Sequence, residues 1–536
     1  MKSHDPLLID TGRGFSVLYN KRQLYNPKEP EPRAVLRAEQ VQLQEDTLYI
    51  INSPLLFYGV SKITSKLPSG SHIICFELSQ DLYKLSKNNI PDNILQLDSI
   101  SFINSTKKDD IYDKIKKLGI WNFRRVRAIN LSGGYALNSI EYKSILEHID
   151  NNIQEYWKNR MTLVHMAPLW IKNIFINLSK LYKEKNIPTF TTFPKTDCPI
   201  IVAGAGESLE NSISFIKKNR SNFKIIAVDT AVSVLLENEI EPDYIVAVDA
   251  QIYNLYDFYN VKDKNIPLFF DITGYPGILS ILKSNVTTFI SNFANTKLLD
   301  RLEKYKLLPK RLPALGSVGI TALYIALETS SNYVFFTGLD FSYKIGKSHS
   351  NGSPRHFSEL ITSNRLNPLE QPGIYYSRPL IHTKDKKGND CISDLILSSY
   401  ANLKICTFRE NKRLKDIGIS GLYNGSEFQK TSEISISHNC SCQSISSNEQ
   451  KTSFLENYQT FIRNELELLK NVYTKTFQYL SAKPDSSSEL IQLLKEVDYI
   501  YIHFPDKRPY PILESGYLKR ILVSCGYYIN ILERYI

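Results

Sequence analysis

Short apolar runs alternate with amphipathic stretches through the middle of the chain. The apolar runs are typical of strands buried on both faces of a parallel sheet, and they cover 200–203, 224–229, 244–249, 267–271, 288–291 and 333–337. Helical patterns lie between most of them, at 208–219, 231–239, 275–284, 295–305 and 318–328. This alternation predicts an α/β fold with a central Rossmann-like, doubly wound, mostly parallel sheet.

A weaker α/β pattern precedes this region, within residues 45–190. Apolar runs predict strands at 47–52 and 72–77 with a helix over 53–59 between them, then a strand within 121–132 and a helix over 159–181. The order strand, turn, helix and strand ending in an acid is similar to a nucleotide-binding βαβ unit. The connecting turn holds the single glycine Gly59, so we favour a degenerate scaffold over a working nucleotide site.

The chain becomes helical after a polar segment. Residues 432–453 are rich in Ser, Asn and Gln, whereas 454–479, 488–501 and 515–536 show helical spacing of apolar residues. We therefore predict four parts: an amino-terminal degenerate Rossmann-like domain (1–190), a central domain (191–430), a linker (431–453) and a carboxy-terminal helical domain (454–536).

Charge and composition narrow the possible partners. The chain has 65 basic and 55 acidic residues, a net charge of +10 that is spread along the sequence. Such a surplus suits small anionic ligands and does not indicate nucleic-acid binding. No signal peptide and no uncharged run near the ~20 residues of a membrane span are found, which predicts a cytoplasmic protein without a membrane span.

The seven cysteines do not form a recognisable framework. Their odd number and scattered positions argue against structural disulfides. Cys440 and Cys442 lie near His438, but no second Cys/His pair has the spacing that a zinc site needs. We expect no metal site there.

The turn after the first central strand has the features of an anion site. Gly204 and Gly206 permit a tight turn and close backbone approach, and a helix follows whose free N–H groups favour a phosphate together with the Ser208 hydroxyl. Leu209 stands where the dinucleotide fingerprint needs its third glycine. The turn is therefore predicted to bind phosphate without the usual NAD signature, and a purely structural connection is the alternative.

A second turn repeats this logic. Gly316 and Ser317 open the long helix predicted at 318–328, and Ser317 and Thr321 are short enough for a ligand to approach the backbone. This helix N-terminus is predicted to hold further phosphate oxygens or a substrate carboxylate. A simple N-cap at Ser317 is the alternative.

Acidic residues end several predicted strands. Asp229, Asp249 and Asp271 each follow an apolar run, and Asp340 follows Gly338, which permits backbone approach. In a parallel sheet these side chains share the carboxyl rim, where they can bind ribose or sugar hydroxyls or hold a divalent cation between phosphates. Each is also a candidate helix N-cap, Asp229 in particular. Asp249 is followed by Ala and Gln251, so the D-x-D metal motif of many sugar-nucleotide transferases is absent.

The loop after the Asp340 strand supplies candidate bases. Its histidines are His349 and His356, and His382 follows a Pro-containing stretch. Histidine is suited to proton transfer because its pKa lies near working pH, so His349 and His382 are the preferred candidates. The alternative is that these are ordinary solvated side chains.

Together these motifs resemble the central domain of the bacterial motility accessory factors, which are proposed flagellin glycosyltransferases. The resemblance is carried by Val-Ala-Gly204-Ala-Gly206-Glu-Ser208-Leu, Ala-Val-Asp229-Thr-Ala, Ile240-Glu-Pro242-Asp243-Tyr-Ile-Val-Ala-Val-Asp249, Gly316-Ser317-Val and Thr337-Gly338-Leu-Asp340-Phe. It extends to the amino-terminal domain through Leu24-Tyr-Asn26-Pro27-Lys-Glu29, Asn159-Arg160-Met-Thr162, Trp170 and Asn173. It covers the chain to about residue 430, so the central domain is expected to be glycosyltransferase-like.

The central motifs also resemble bacterial sialyltransferases of the lipo-oligosaccharide type. That resemblance implies a CMP-activated nonulosonic acid as donor, no metal, and a histidine base. It implies phosphate contacts from Gly204, Gly206, Ser208, Gly316 and Ser317, a place near the sugar for Asp340, and His349 or His382 as base. Two departures stand out: Glu207 replaces a customary proline, and Ser348-His349-Ser350 replaces a more usual Thr-His-Ala.

The leading hypothesis is transfer of a nonulosonic acid, of the pseudaminic or legionaminic type, from its CMP donor to Ser or Thr of flagellin, which supports flagellum assembly and motility. No cofactor is expected, because the CMP-sugar is a substrate. A second hypothesis follows from a similar central domain in an archaeal 6-hydroxymethylpterin pyrophosphokinase, which would need ATP and Mg²⁺ held by Asp229 and Asp249. A third is a non-catalytic flagellin-binding factor.

Overall fold

The structure is a computed structural model of the chain. It describes residues 5–103, 108–182, 189–262, 264–282, 284–344, 347–366, 368–369, 379–409, 411–434, 451–482, 487–506 and 510–534. Most of the predicted linker, with His438, Cys440 and Cys442, lies outside these residues.

The chain divides into two compact units. The first comprises residues 1–164 and 503–511, and the second comprises 165–502 and 512–536. The division falls inside a long helix, α6 (Ser139–Tyr182). The four-part division drawn from the sequence stays a prediction.

The first unit contains a parallel sheet and an antiparallel one. Its strands are β1 (Leu7–Asp10), β2 (Phe15–Tyr19), β3 (Arg22–Gln23), β4 (Thr47–Asn52), β5 (His72–Phe76), β6 (Ile100–Ile103) and β7 (Arg125–Ile129). Its helices before α6 are α1 (Pro30–Glu39), α2 (Val60–Thr64), α3 (Gln80–Asn88), α4 (Asp92–Leu95) and α5 (Lys108–Leu118). The parallel sheet has the order β6-β5-β4-β7, and β4 is buried along its whole length. The strands predicted at 47–52 and 72–77 are thus present as β4 and β5 of a parallel α/β sheet.

The helix predicted over 53–59 is wrong. That segment is a turn, and α2 begins only at Val60. Three of its non-glycine residues have positive φ angles, namely Ser53 (50°), Leu55 (49°) and Phe57 (58°). Tertiary hydrogen bonds hold this unusual backbone. The Ser53 hydroxyl donates to Glu77 Oε2 (2.7 Å), and the Tyr25 hydroxyl donates to the Pro54 carbonyl (2.9 Å). These contacts outweigh the local helical tendency of an apolar segment.

The second unit is built on a large parallel sheet. Its strands are β8 (Thr189–Phe190), β9 (Ile200–Ala203), β10 (Lys224–Val228), β11 (Tyr244–Ala247), β12 (Leu268–Asp271), β13 (Val286–Asn292), β14 (Lys310–Pro313), β15 (Val334–Thr337), β18 (Leu414–Asp416) and β19 (Glu427–Phe428). The order is β14-β13-β12-β11-β10-β9-β15-β18-β19, with β8 beside β13. The predicted doubly wound fold is confirmed. An antiparallel hairpin of β16 (Leu380–Lys384) and β17 (Asp390–Asp394) lies outside this sheet.

Helices connect and cover these strands. They are α7 (Ser208–Lys218), α8 (Asp229–Glu237), α9 (Gly277–Ile281), α10 (Lys297–Lys304), α11 (Val318–Thr329), α12 (Pro354–Thr362) and α13 (Leu395–Thr407). The chain moves from β9 in one direction as far as β14 and then returns to place β15 on the other side of β9. The order of the sheet therefore reverses between β9 and β15. In open α/β sheets, ligands bind at the carboxyl ends of the strands at this point.

The helical tail belongs to the second unit and contacts α10 there through a buried ionic contact. Its helices are α14 (Lys451–Ala482), α15 (Ser487–Glu496) and α16 (Ser515–Glu533). Arg301 of α10 donates from Nε and Nη2 to the two carboxylate oxygens of Glu465 in α14, both at 2.7 Å. The Tyr499 hydroxyl donates to the same carboxylate (2.8 Å), and Glu465 is 1 % exposed. The predicted helical tail is thus attached by charge as well as by apolar packing.

Candidate functional site

Two glycine turns touch each other where the strand order reverses. The Gly204 N–H donates to the Thr337 carbonyl (2.9 Å), and the Gly206 N–H donates to the Gly338 carbonyl (2.8 Å). Gly338 has a φ of +71°, and a Cβ built on it would lie 2.0 Å from the Gly204 carbonyl oxygen. Three of the predicted phosphate-binding glycines, Gly204, Gly206 and Gly338, therefore have a structural reason, which is the close approach of the two backbones.

The positive end of α7 is occupied by a carboxylate of the protein itself. Asp340 Oδ2 accepts the Ser208 N–H (2.8 Å), and Asp340 Oδ1 accepts the Ser208 hydroxyl. The Ser208 hydroxyl also accepts the Gly338 N–H (2.8 Å) and is fully buried. A helix N-terminus favours an anion, and here that anion is Asp340. Phosphate binding at this turn stays a prediction, and the side chain of Ser208 is directed toward Asp340.

The environment of Asp340 raises the pKa of its carboxyl group. Burial raises the pKa of Asp340 to about 6, and hydrogen bonds from Ser208 and the charge of Lys386 oppose that rise. Lys386 is itself paired with Asp416 (2.7 Å), and a Cβ on Gly421 would lie 2.5 Å from the Asp340 Cα. Asp340 is 6 % exposed, so its direct access to a sugar is small.

The histidine loop is fastened directly to the first glycine turn. The Ser350 N–H donates to the Ala205 carbonyl (2.8 Å), and the Ser350 hydroxyl donates to the Gly206 carbonyl (2.5 Å). Lys344 pairs with Glu207 (2.6 Å), which neutralises the negative charge that the sequence places in the turn. These contacts bring the loop to the rim where β9 ends.

His349 lies between these anchors and is half-buried. Its Nδ1 is 3.0 Å from the Ser348 hydroxyl oxygen. Burial lowers the pKa of His349 to about 4, the nearby charges of Arg355 and His356 lower it further, and Glu359 opposes them. The imidazole is therefore neutral near pH 7, and one of its ring nitrogens carries a free lone pair.

The other histidines occupy different surroundings. His382 is exposed on β16 and faces Ile392 of β17 across the hairpin. His356 is buried in α12. Its backbone N–H donates to the Ser353 hydroxyl, which caps the helix (3.2 Å). Of the two preferred bases, His349 is the one whose neighbours bind the glycine turn.

The Gly316–Ser317 turn leads into a helix N-terminus that is open. Gly316 has a φ of +64° and is exposed, and Ser317 occupies the N-cap of α11 without a side-chain hydrogen bond. The Thr321 hydroxyl donates to the Ser317 carbonyl (3.0 Å). A Cβ on Gly319 would lie 2.4 Å from Leu339 Cδ2, so this glycine lets α11 pack against the strand end at Asp340. The N-terminus of α11, unlike that of α7, is not filled by an acidic side chain within the described residues.

The other three predicted acids differ in burial: Asp271 and Asp229 are buried, and Asp249 is exposed. Asp271 is fully buried and accepts the N–H groups of Thr273 and Ser291, both at 2.9 Å, so it stabilises its own turn. Asp249 is exposed and accepts the Gln251 N–H (2.9 Å), whereas Asp229 is buried at the first residue of α8. Among the residues that the structure describes, no group of three His, Cys, Asp or Glu side chains is arranged to hold a metal ion.

Asp229 has an unpredicted partner. Asn254 Nδ2 donates to Asp229 Oδ2 (2.7 Å) and to Asp257 Oδ2 (3.2 Å), which joins the two acids. Burial raises the pKa of both carboxyl groups, repulsion from Asp257 adds to the rise at Asp229, and repulsion from Asp249 adds to the rise at Asp257. Asn254 and Asp257 lie in a 3₁₀ segment, Ile252–Val261, and a polar pair within an apolar stretch was the available signal.

Two asparagines of α6 bind the rim loops from behind. Asn173 Nδ2 donates to the carbonyls of Ala250 (3.1 Å) and Thr273 (2.9 Å). Asn177 Nδ2 donates to those of Ile272 and Gly274, both at 2.9 Å. Both asparagines are buried, so they fix the loops that follow β11 and β12. Asn173 is among the residues that carry the family resemblance, and its spacing from Asn177, one helical turn, was the missed signal.

The comparisons with known proteins agree with this architecture. Residues 172–346 match the family described as 6-hydroxymethylpterin diphosphokinase MptE-like. The solved structure of a Maf glycosyltransferase from Magnetospirillum magneticum AMB-1 has a TM-score of 0.61, with 13% identity over 99% of this chain and 87% of that one. The chain therefore matches the MptE-like family over residues 172–346 and shares its fold with a Maf glycosyltransferase. Both similarities agree with the resemblances drawn from the sequence.

Two sequence relatives come from Treponema pallidum (strain Nichols). An uncharacterized protein is 25% identical over 560 residues, which cover 99% of this chain and 95% of the relative. Another uncharacterized protein is 34% identical over 88 residues, 16% of this chain and 40% of its own length. The first relative is thus similar in sequence to this chain along almost its whole length.

None of the described helices is long and apolar enough to cross a bilayer.

Proposed function

We propose that the protein is a glycosyltransferase that moves a nonulosonic acid, of the pseudaminic or legionaminic type, from a CMP donor to Ser or Thr hydroxyls of flagellin. The observation that carries the proposal is the attachment of the His349 loop to the Gly204–Gly206 turn through Ser350. It places a neutral imidazole at the point where the strand order reverses. The shared fold with a Maf glycosyltransferase supports the same reading.

The proposed transfer reaction requires few catalytic groups. The donor phosphate is a good leaving group, so the enzyme has to bind the anion, orient the acceptor and supply one base. We assign the base to His349, with His382 as the second candidate. We assign the donor phosphate to Gly316, Ser317 and the N–H groups that open α11, because that helix terminus is uncapped.

The remaining predicted residues keep supporting assignments. The turn with Gly204, Gly206 and Ser208 borders the donor site, and Asp340 and Gly338 keep it closed. Asp229 and Asp249 lie on the same carboxyl rim, where Asp249 is exposed and available to donor hydroxyls. No cofactor takes part in this scheme, and the reaction remains within the cytoplasm where CMP-sugars and unexported flagellin are expected.

Transfer in vitro tests the proposal. Purified protein is incubated with flagellin and either CMP-pseudaminic acid or CMP-legionaminic acid, and intact-mass spectra of flagellin are recorded. We expect a glycan mass increase with one donor, and a loss of rate of about 10²–10⁴-fold for His349→Ala, the range for a general base. His148→Ala in the first unit is the matched control. An unchanged rate in both His349→Ala and His382→Ala contradicts the base assignment.

The MptE-like match favours one other activity, pyrophosphoryl transfer from ATP to a pterin with Mg²⁺ held by Asp229 and Asp249. Thermal-shift titrations separate the two. Stabilisation by CMP supports the glycosyltransferase, whereas stabilisation by ATP with Mg²⁺ and none by CMP supports the kinase. Copurification with flagellin in the absence of any nucleotide effect identifies a non-catalytic binding factor.

A further inference from the structure

A line of three side chains leads from the rim into α12. His349 Nδ1 lies 3.0 Å from Ser348 Oγ, and Ser348 Oγ lies 2.7 Å from Glu359 Oε1. Ser348 is 7 % exposed and Glu359 is 9 % exposed, so both contacts are shielded from water. The imidazole is thus joined to a carboxylate by a buried hydroxyl.

The number of protons fixes the direction of both hydrogen bonds. A serine hydroxyl has one hydrogen, and a carboxylate oxygen accepts without donating. Glu359 Oε1 also accepts from Arg355 Nε at 3.1 Å, so it acts as an acceptor toward both neighbours. Ser348 therefore donates to Glu359 and has lone pairs left for His349. His349 Nδ1 must then carry the proton that is donated to Ser348.

We propose that Ser348 and Glu359 are positioning residues that hold His349 in the tautomer protonated at Nδ1, which leaves the lone pair of Nε2 as the proton acceptor. The role of Nε2 in transfer rests on the proposed function, whereas the tautomer does not. In the transfer step the acceptor oxygen bonds to the anomeric carbon, the bond from that carbon to the phosphate oxygen breaks, and CMP leaves with the electron pair. The hydroxyl proton goes to Nε2.

The surrounding elements hold this line in place. α12 begins with Pro354 at its first turn, and the Ser353 hydroxyl caps the helix by accepting the His356 N–H (3.2 Å). On the other side, Ser350 is bound to the glycine turn. The imidazole is therefore fixed between a capped helix and the end of β9. When Nε2 takes a proton, the charge of Glu359 stabilises the imidazolium through Ser348, as an acid oriented behind a catalytic histidine does.

The tautomer is measured directly by NMR. The protein is labelled with ¹⁵N-histidine, and the ring nitrogens of His349 are identified among the nine histidines by the signals missing in His349→Ala. We expect a protonated Nδ1 and an unprotonated Nε2 in the wild type. Ser348→Ala removes the acceptor and should shift the population toward the Nε2-protonated form. Ser348→Thr keeps a hydroxyl and should keep the wild-type pattern, as should Ser358→Ala on the exposed side of α12.

Transfer kinetics give the second measurement. We expect Ser348→Ala to lower kcat at least about tenfold, within the contribution of a general base, with little change in the donor KM, and Ser348→Thr to restore it. An Nε2-protonated wild type, or the same tautomer in Ser348→Ala, overturns the inference whatever the reaction proves to be. If the tautomer is as expected but no glycan is transferred, the proposed function fails and the positioning role of Ser348 stands.

Discussion

Asp340 closes the N-terminus of α7 by accepting both the backbone N–H and the hydroxyl of Ser208. The two residues are 132 positions apart in the chain, so this contact joins the ends of β9 and β15. It explains why a buried acid, Asp340, lies beside a turn whose sequence is typical of a phosphate site. The contact therefore holds the two strand ends together and fills the helix N-terminus with a carboxylate of the protein itself.

Ser208→Ala should destabilise the protein. It leaves the buried Asp340 carboxylate and the Gly338 N–H without the hydroxyl that bonds to both, at a cost of about 1 to 3 kcal/mol in the free energy of unfolding. Urea unfolding measures the effect, with Ser358→Ala as a matched exposed control that should stay within about 0.5 kcal/mol. Unchanged stability for Ser208→Ala, together with a raised donor KM, would show that Ser208 binds substrate and not Asp340.

Gly338→Ala should prevent the close approach of the two turns. The added Cβ would lie 2.0 Å from the Gly204 carbonyl, and the φ of +71° is also unfavourable for alanine. Gly388→Ala is a matched control, because Gly388 has a φ of +87° and nothing within 4 Å of its Cβ position. We expect about 1 kcal/mol of destabilisation for Gly388→Ala and more than about 3 kcal/mol for Gly338→Ala. Equal losses would mean that the backbone contact is unimportant.

The Asp229 and Asp257 pair should make stability depend on pH. Burial and repulsion raise the pKa of both groups, so the folded state binds more protons than the unfolded chain above about pH 4, where an ordinary aspartate titrates. The wild type therefore loses stability as pH rises from about 4 toward 8. The Asp229→Asn variant should not lose stability in this way, because residue 229 no longer ionises. Its amide oxygen can still accept the hydrogen bond from Asn254 Nδ2.

We expect Asp229→Asn to match the wild type near pH 5 and to exceed it by on the order of 1 to 3 kcal/mol at pH 8. Thermal unfolding across that range measures the difference. Asp300→Asn, at an exposed position, should show no such trend. A stability difference that is constant with pH would argue against a shared buried charge.

Glu465→Gln should loosen the helical tail. It leaves Arg301 without its buried counter-charge and removes the charged acceptor of the Tyr499 hydroxyl, a loss of about 3 to 5 kcal/mol. Glu303→Gln breaks the contact with Arg311 at the surface and should cost less than about 1 kcal/mol. Limited proteolysis should cut within α14 to α16 earlier in Glu465→Gln than in the control. Equal protection in both variants would show that apolar packing alone holds the tail.

The sequence predicts the sheet well because each central strand is a short apolar run, and residues 200–203 coincide with β9. It fails at 53–59, where Tyr25 and Glu77, distant in sequence, impose a turn with positive φ angles on an apolar segment. It also places Ser208 and Asp340 on one rim without showing that they bind each other. Side-chain contacts between residues more than a hundred positions apart form only when the sheet is complete, so a local sequence pattern does not predict them.

The N-termini of α7 and α11 differ, and the difference bears on how many phosphate groups of a donor the rim can bind. The N-terminus of α7 is neutralised by Asp340, whereas that of α11 keeps its uncapped N–H groups behind Gly316. Under the proposed function, one positive helix terminus matches the single phosphate of a CMP-sugar and leaves the second phosphate of a nucleoside diphosphate sugar without a partner. Asp340 would thus act as a discriminator of donor class by filling the place that a second phosphate would need.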